Sequence, residues 1–326
     1  MKIAINGFGR IGRMVLRAAI ESKRTDLEFV AINDLSAVDV SAFLLQHDSV
    51  HGKLPEEVKV EGDYIVVGNR KVRVIAEKDP TKLPWGELGI DVVIESTGIF
   101  TAADKAKMHL DAGAKKVLVS APSDGADKTI VYGVNHHTLT ANDKIVSNGS
   151  CTTNCLAPIA KVLHEELGIV EGWMTTVHAY TGDQSLVDTN HKDMRRARAA
   201  AMSIIPSSTG AAKAIGLVLP ELAGKLNGPA MRVPTPNVSI VDLVVKTNKK
   251  ADAAAVNAAV KSAADGKVLV YNDQPLVSVD FVHNPASCIF DSTQTSVVGE
   301  LLHVSAWYDN EWGFSNRMLD VCALLK

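Results

Sequence analysis

Residues 2–12 read KIAINGFGRIG, and this stretch decides the fold. Residues 2–6 form a short β-rich run. Gly7-Phe8-Gly9-Arg10-Ile11-Gly12 follows. Then Ile11, Met14, Val15, Ala18 and Ala19 recur at spacings of three and four, the period of an amphipathic helix. EFVAIND (28–34) predicts a second strand ending in Asp34, 22 residues past the last glycine of the turn. The order is strand, G-x-G-x-x-G turn, helix, strand, acid. Gly7 permits a tight turn, Gly9 lets backbone approach a pyrophosphate, and Gly12 lets helix pack on strand. The helix N-terminus offers N–H groups and a positive dipole end to phosphate. Asp34 suits two ribose hydroxyls and repels a 2′-phosphate, which leans towards NAD over NADP. The unit predicts a dinucleotide-binding domain of the Rossmann kind.

Working outward, DVVIESTG (91–98) and KVLVSAP (116–122) read as further strands of the same sheet. Between them, Thr101-Ala102-Ala103-Asp104 has capping-box spacing before a helical stretch, and Gly113 suits a helix stop. Ligands of open parallel sheets sit at the carboxyl ends of strands. Thr97, Gly98 and Ser120 fall there and are cofactor-side candidates, with ordinary loop chemistry as the alternative. Residues 58–80 alternate as a small antiparallel excursion, and KIVSN (144–148) is the last expected strand of this half.

SNGSCTTNC (147–155) follows directly. CTTNCLAPIAKVLHEELG (151–168) has helical periodicity, and Pro158 is expected to kink it. Cys151 then sits at a helix N-terminus, which favours the thiolate, while Cys155 lies one turn deeper. Two buried thiols are the bland alternative. GWMTTVHAYTGDQ (172–184) alternates so that Met174, Thr176, His178 and Tyr180 share a face. His178 is a candidate general base, although a lone strand histidine is often structural. Arg195, Arg196 and Arg198, the small polar run SSTGAAKA (207–214) and the isolated Arg232 are anion-friendly. Together they suggest a phosphorylated substrate. The runs 238–248, 274–284, 287–291 and 301–310 predict mainly antiparallel strands, with one helix at 251–265 and a last helix near 314–325.

The 326 residues favour two domains. A net charge of −3 argues against a general nucleic-acid partner, which needs a basic footprint. No apolar run approaches the roughly 20 residues that span a bilayer. The N-terminus lacks the apolar core of a signal peptide, so a cytoplasmic protein is expected. The cysteines are Cys151, Cys155, Cys288 and Cys322, without C-x-x-C or His-x-x-x-His spacing, and no metal site is expected.

The chain resembles the phosphorylating glyceraldehyde-3-phosphate dehydrogenases of bacterial type over essentially its whole length. NGFGRIGR (6–13), DSVHG (48–52), ESTGIF (95–100), SCTTNCLAP (150–158), HAYTGDQ (178–184), RRARAAA (195–201), SSTGAAKA (207–214), MRVPTPNVS (231–239) and WYDNEWG (307–313) carry the resemblance, in family order. It implies a nucleophile at Cys151, activated by His178, with a hemithioacetal, hydride transfer to NAD, and a thioester cleaved by inorganic phosphate. Thr181, Asp183 and Arg232 would surround the substrate phosphate. Ser150, Thr152, Arg196, Thr209 and Gly210 would surround the attacking phosphate. Arg10 and Ile11 would offer backbone N–H groups to the pyrophosphate, and Asn310 would hold the nicotinamide carboxamide. The segment from about 179 to 202 is similar to the family's S-loop.

The resemblance further implies a homotetramer working in glycolysis or gluconeogenesis. The expected fold is an α/β Rossmann domain (1–150, with 314–326 packing back on it) plus an α+β catalytic domain (151–313) with a mainly antiparallel sheet. Thr189-Asn190 stands where many NAD-selective relatives carry Leu-Pro, so tolerance of NADP stays open. A dehydrogenase of erythrose 4-phosphate and a non-catalytic nucleotide- or RNA-binding scaffold are the competing readings.

Overall fold

A computed structural model describes all 326 residues, in two compact units. The first comprises 1–132, 136–150 and 315–326; the second comprises 133–135 and 151–314.

In the first unit the chain runs β1 (Lys2–Asn6), α1 (Arg10–Glu21), β2 (Glu28–Asn33), α2 (Val38–Gln46), the short pair β3 (His47–Asp48) and β4 (Gly52–Lys53), then β5 (Val58–Glu61), β6 (Tyr64–Val67) and β7 (Arg70–Ile75). A one-turn helix α3 (Trp85–Leu88), β8 (Val92–Glu95), α4 (Ala103–Asp111), β9 (Lys116–Val119), β10 (Lys128–Thr129) and β11 (Ile145–Ser147) complete the sheet. Its order is β10-β11-β9-β8-β1-β2-β7-β6-β5. Every pairing from β10 to β7 is parallel, and only the last two are antiparallel. Within itself the 58–80 segment is antiparallel, as expected, but it does not stand apart from the parallel sheet. Its last strand joins β2 in parallel and extends the main sheet.

The chain winds outward from β1 in both directions, through β2 on one side and β8 on the other. That leaves a topological switch at the carboxyl ends of β1 and β8, where such sheets bind ligands. β1, β2 and β8 are apolar and almost fully buried, as strands covered on both faces must be. The expected capping box is absent: α4 begins at Ala103, and no side chain caps it at Ala102.

The second unit holds α5 (Cys151–Leu167), β12 (Ile169–Ala179), β13 (Ile205–Ser207), α6 (Ala211–Val218), β14 (Leu226–Asn227), β15 (Ala230–Val233), β16 (Ser239–Thr247), α7 (Ala253–Ala263), β17 (Leu269–Asn272), β18 (Cys288–Val298) and β19 (Leu301–Tyr308). The sheet order is β13-β15-β12-β16-β19-β18-β17, with β14 also on β12. β12, β16, β19 and β18 are mutually antiparallel neighbours, while β14, β15 and β17 pair in parallel. α5 is buried along most of its length and packs on this sheet. It stays helical through Pro158.

One expected strand is missing. Residues 274–284 form turns and a single 3-10 turn at Ser278–Phe281, whose Asp280 carboxylate accepts from the Val277 N–H. The last helix, α8 (Trp312–Leu324), lies with the first unit from Ser315 onward. Met318, Val321 and Cys322 are buried there, and Asp320 pairs with Arg24 at 3.1 Å.

Candidate active site

The glycine turn is built as its spacing requires. Gly7 has φ +91°, and a Cβ there would stand 2.7 Å from the backbone nitrogen of Thr97. A Cβ on Gly12 would stand 2.1 Å from the Gly7 carbonyl. Either side chain would force α1 away from the strand ends. The face of Gly9 is open, and no side chain caps α1 there. Arg10 and Ile11 occupy the first turn of α1, where backbone N–H groups point out of the helix.

A cavity of about 450 Å³ opens beside this turn, lined by Gly7, Gly9, Asp34 and Thr97 among others. Asp34 is fixed by its surroundings: one carboxylate oxygen accepts from Phe8 N at 2.7 Å, the other from Ser36 N at 2.9 Å. Each oxygen keeps acceptor capacity for a hydroxyl. An open glycine face, an uncapped helix start and an oriented acid together fit a dinucleotide. Gly98 and Ser120 lie just beyond β8 and β9 but outside this lining.

Sequence reasoning missed Leu35, Lys78, Pro80 and Phe100, which also line the cavity. It also assigned no role to Asp48, whose carboxylate takes a two-pronged ion pair from Arg10. Burial alone would raise the Asp48 pKa. Arg10 and the backbone N–H groups of His51 and Val50 outweigh it and hold the carboxyl at about 2.

The second unit brings Cys151 and His178 together. Cys151 is the first residue of α5, and His178 is next to last in β12. Sγ lies 3.5 Å from Nε2. The other ring nitrogen, Nδ1, is 2.7 Å from the Ala179 carbonyl and 2.9 Å from Arg232 Nη1; the tautomer that donates from Nδ1 to the shorter-contact carbonyl leaves Nε2 as the base facing sulfur. Burial, reinforced by the Arg232 charge, pulls the His178 pKa down to about 3. Burial pushes the Cys151 thiol above its ordinary value, against the pull of Arg232, the Thr152 hydroxyl and the first backbone N–H groups of α5. The helix start therefore acts in the expected direction but does not win. The resting pair is a thiol beside a neutral imidazole, which is the pair a general base requires.

Arg232 sits in β15 directly across from His178 in the pairing register. Its Nη1 donates to the Ala179 carbonyl at 2.9 Å and reaches Thr181 Oγ1 at 3.4 Å. Its Nε has no partner, and no carboxylate lies within ion-pair distance. Burial lowers its pKa. A cation held in this way can accept an anion. Asp183, expected beside it, is instead bound to Arg196, with His191 at 3.6 Å. Thr209 accepts from Ala211 N at 3.2 Å, and Gly210 is the N-cap of α6.

Thr152 is buried with its hydroxyl 2.8 Å from that of Tyr308, which in turn lies 2.9 Å from Thr176 Oγ1. Tyr308 also packs edge-on against His178 with ring centres 5.9 Å apart. Its support of both was not legible from sequence. Asn310 is buried and accepts from Ser239 Oγ at 2.9 Å. Ser150 immediately precedes α5. Cys155 is fully buried, with sulfur 3.7 Å from the Ala306 carbonyl, a packing position. No group of three or more histidines, cysteines and acids gathers as a metal site.

Comparison with known proteins bears on both units. Residues 1–103 match the glyceraldehyde 3-phosphate dehydrogenase NAD binding domain, and residues 150–310 match the C-terminal domain of the same family. The chain is 60% identical over 329 aligned residues to the glyceraldehyde-3-phosphate dehydrogenase of Xanthobacter flavus, covering all of this chain and 98% of that protein. It is 59% identical to the plasmid-encoded enzyme of Cupriavidus necator and 55% identical to that of Geobacillus stearothermophilus, again over all of this chain and 98% of each relative. The chain belongs to the glyceraldehyde-3-phosphate dehydrogenase family, with an NAD-binding domain in its first half.

Proposed function

We propose that the chain oxidises D-glyceraldehyde 3-phosphate to 1,3-bisphosphoglycerate through a covalent thioester on Cys151. The observation that supports this most strongly is the neutral Cys151–His178 pair beside the un-neutralised Arg232. His178 Nε2 takes the thiol proton as sulfur adds to the aldehyde carbon and passes it to the former carbonyl oxygen, giving a hemithioacetal and a free Nε2. The same nitrogen takes the hydroxyl proton as the carbon loses hydride and becomes a thioester. Bound NAD supplies the hydride acceptor. Inorganic phosphate then attacks the thioester carbon, the acyl phosphate forms, and sulfur leaves to recover its proton from His178. A thioester keeps enough reactivity for phosphate to displace it.

In this reading Arg232 and Thr181 hold the substrate phosphate. Thr152, Ser150, Thr209, Gly210 and Arg196 receive the attacking phosphate, after Asp183 and Arg196 have loosened their mutual pair. Gly7, Gly9, Arg10, Ile11, Gly12, Asp34, Thr97, Gly98 and Ser120 serve the cofactor from the first unit, and Asn310 serves the carboxamide. Asp34 favours NAD, with NADP a weaker alternative. We also place the protein in the cytoplasm as a homotetramer. Exposed Leu186, Val187, Met194, Met202 and Ile204 support the assembly, because such residues clustered along one surface segment mark a protein interface. No helix is long and apolar enough to cross a membrane.

The test is NADH formation from glyceraldehyde 3-phosphate with and without phosphate or arsenate. Sustained turnover only with the anion is expected. Turnover regardless of it would replace phosphorolysis by hydrolysis, and preference for erythrose 4-phosphate would change the substrate.

A further inference from the structure

Glu95 ends β8 at the switch point of the first sheet, behind the cavity wall formed by Asn6 and Thr97. It is 1% exposed, and no lysine or arginine pairs with it. Four hydrogen bonds reach its carboxylate. Thr97 N donates at 2.8 Å and Thr97 Oγ1 donates to the same oxygen; Asn6 Nδ2 and His109 Nε2 meet the other at 2.6 and 2.9 Å.

The direction of each is fixed by its neighbours. The Ile99 N–H donates into Thr97 Oγ1, so the hydroxyl proton is left for Glu95. The Glu77 backbone N–H donates to Asn33 Oδ1, so Asn33 presents its amide N–H to Asn6 Oδ1, and Asn6 turns its own amide N–H to Glu95. The Trp85 indole N–H, which can only donate, points at His109 Nδ1 at 3.1 Å. His109 is therefore a neutral imidazole that carries its proton on Nε2, towards Glu95. Every group donates and none accepts. This is the environment of an ionised carboxylate, and no cation neutralises it.

We infer that Glu95 is a specificity-determining residue for the redox state of the cofactor: its fixed negative charge behind the cavity favours the oxidised dinucleotide over the reduced one. This rests on the assignment of the cavity to NAD. NADH carries one more negative charge than NAD+, on the nicotinamide; in a doubly wound sheet that half of the dinucleotide crosses the switch point to the β8 side, where Glu95 sits, so the buried anion penalises NADH selectively. The consequence is easier release of the reduced product. Asn6 and Thr97 transmit no motion in this account; they set the distance and keep water from screening the charge.

The test compares affinities for NAD+ and NADH by calorimetry in the full-length protein. In Glu95→Gln the preference for NAD+ should fall about tenfold, the size of one charge–charge interaction over roughly 10 Å at an effective dielectric near 20. His109→Met keeps the charge but removes one donor, so the NAD+/NADH preference should stay that of the unaltered protein. A glutamine amide needs an acceptor where Glu95 now meets only donors. Should Glu95→Gln not fold, Glu95→Gln with His109→Gln supplies that acceptor and removes the same charge. An unchanged NAD+/NADH ratio in the folded neutral variant overturns the inference while leaving the cofactor assignment intact. Failure of the unaltered protein to bind either dinucleotide overturns both.

Discussion

Arg232 in the second unit and Glu95 in the first are both charges without a counter-charge, and the two have opposite sign. In the second unit Arg232 is a partly buried cation with an unpartnered Nε. In the first, Glu95 is a fully buried anion with four donors. Arg232 is incompletely bonded and opens towards the thiol; Glu95 is completely bonded and sealed behind the wall. A cation with an open donor can take a ligand that completes it. A saturated anion cannot be completed, so it can act only through its field. The difference separates a binding group from an electrostatic bias, though both are unpaired charges.

That comparison can be broken in three places. The largest effect should come from the sulfur. Cys151→Ser should lower kcat by about 10⁴-fold or more, because the proton-transfer partner then faces a far weaker nucleophile. Cys155→Ala should keep most activity, since Cys155 packs against β19 and beside Cys288 of β18. NAD binding should survive in both, because the glycine turn and Asp34 lie in the other unit. Loss of turnover in a folded Cys155→Ala would transfer the nucleophile and break the scheme.

Next comes Arg232→Met. The KM for glyceraldehyde 3-phosphate should rise about 10²-fold, corresponding to the roughly 2–5 kcal/mol lost when a buried charged partner is truncated. NAD affinity should not move. The unliganded protein should become more stable by about 1 kcal/mol, because a desolvated cation without a counter-charge has been removed. A lower melting temperature would show that Arg232 is structural after all.

The smallest effect is on acid stability. His178 holds its neutral form down to about pH 3, against 6.5 for a free imidazole. Between those values the unfolded chain binds a proton that the folded one refuses. The stability associated with His178 is thus complete above about pH 6.5 and is lost as pH falls towards 3. At about pH 4.5 the loss is roughly 2–3 kcal/mol. Denaturant titrations of His178→Asn should show a shallower decline over this window. An identical slope would mean that His178 is not the group resisting protonation.

The first fold was legible because its signals are local: strand, glycine turn, helix and acid lie within 34 residues. Cys151 was legible for the same reason. What escaped was either non-local or resolved by competition. The Glu95 cluster joins Asn6, Trp85, Thr97 and His109, which no periodicity links. The 274–284 segment alternates like a strand, yet Val277 and Val279 are exposed and only Phe281 is buried, so the pattern has no sheet face to serve. The Thr101–Asp104 spacing fitted a cap that the backbone does not form, because the helix starts later. The Cys151 thiol shows a helix end and desolvation acting in opposite directions, and a sequence motif conveys the first but not the second.

The final helix has a consequence for synthesis. Residues 315–326 belong to the unit that also contains residues 1–132, and they bury Met318, Val321 and Cys322 within it. A ribosome makes most of the nucleotide-binding half early, yet that half is completed only by residues 315–326, which follow the other unit in the chain. The other unit is nearly contiguous and can condense first. During translation the order of completion is therefore the reverse of the order of manufacture, and the contacts of Met318, Val321 and Cys322 are the last this half acquires.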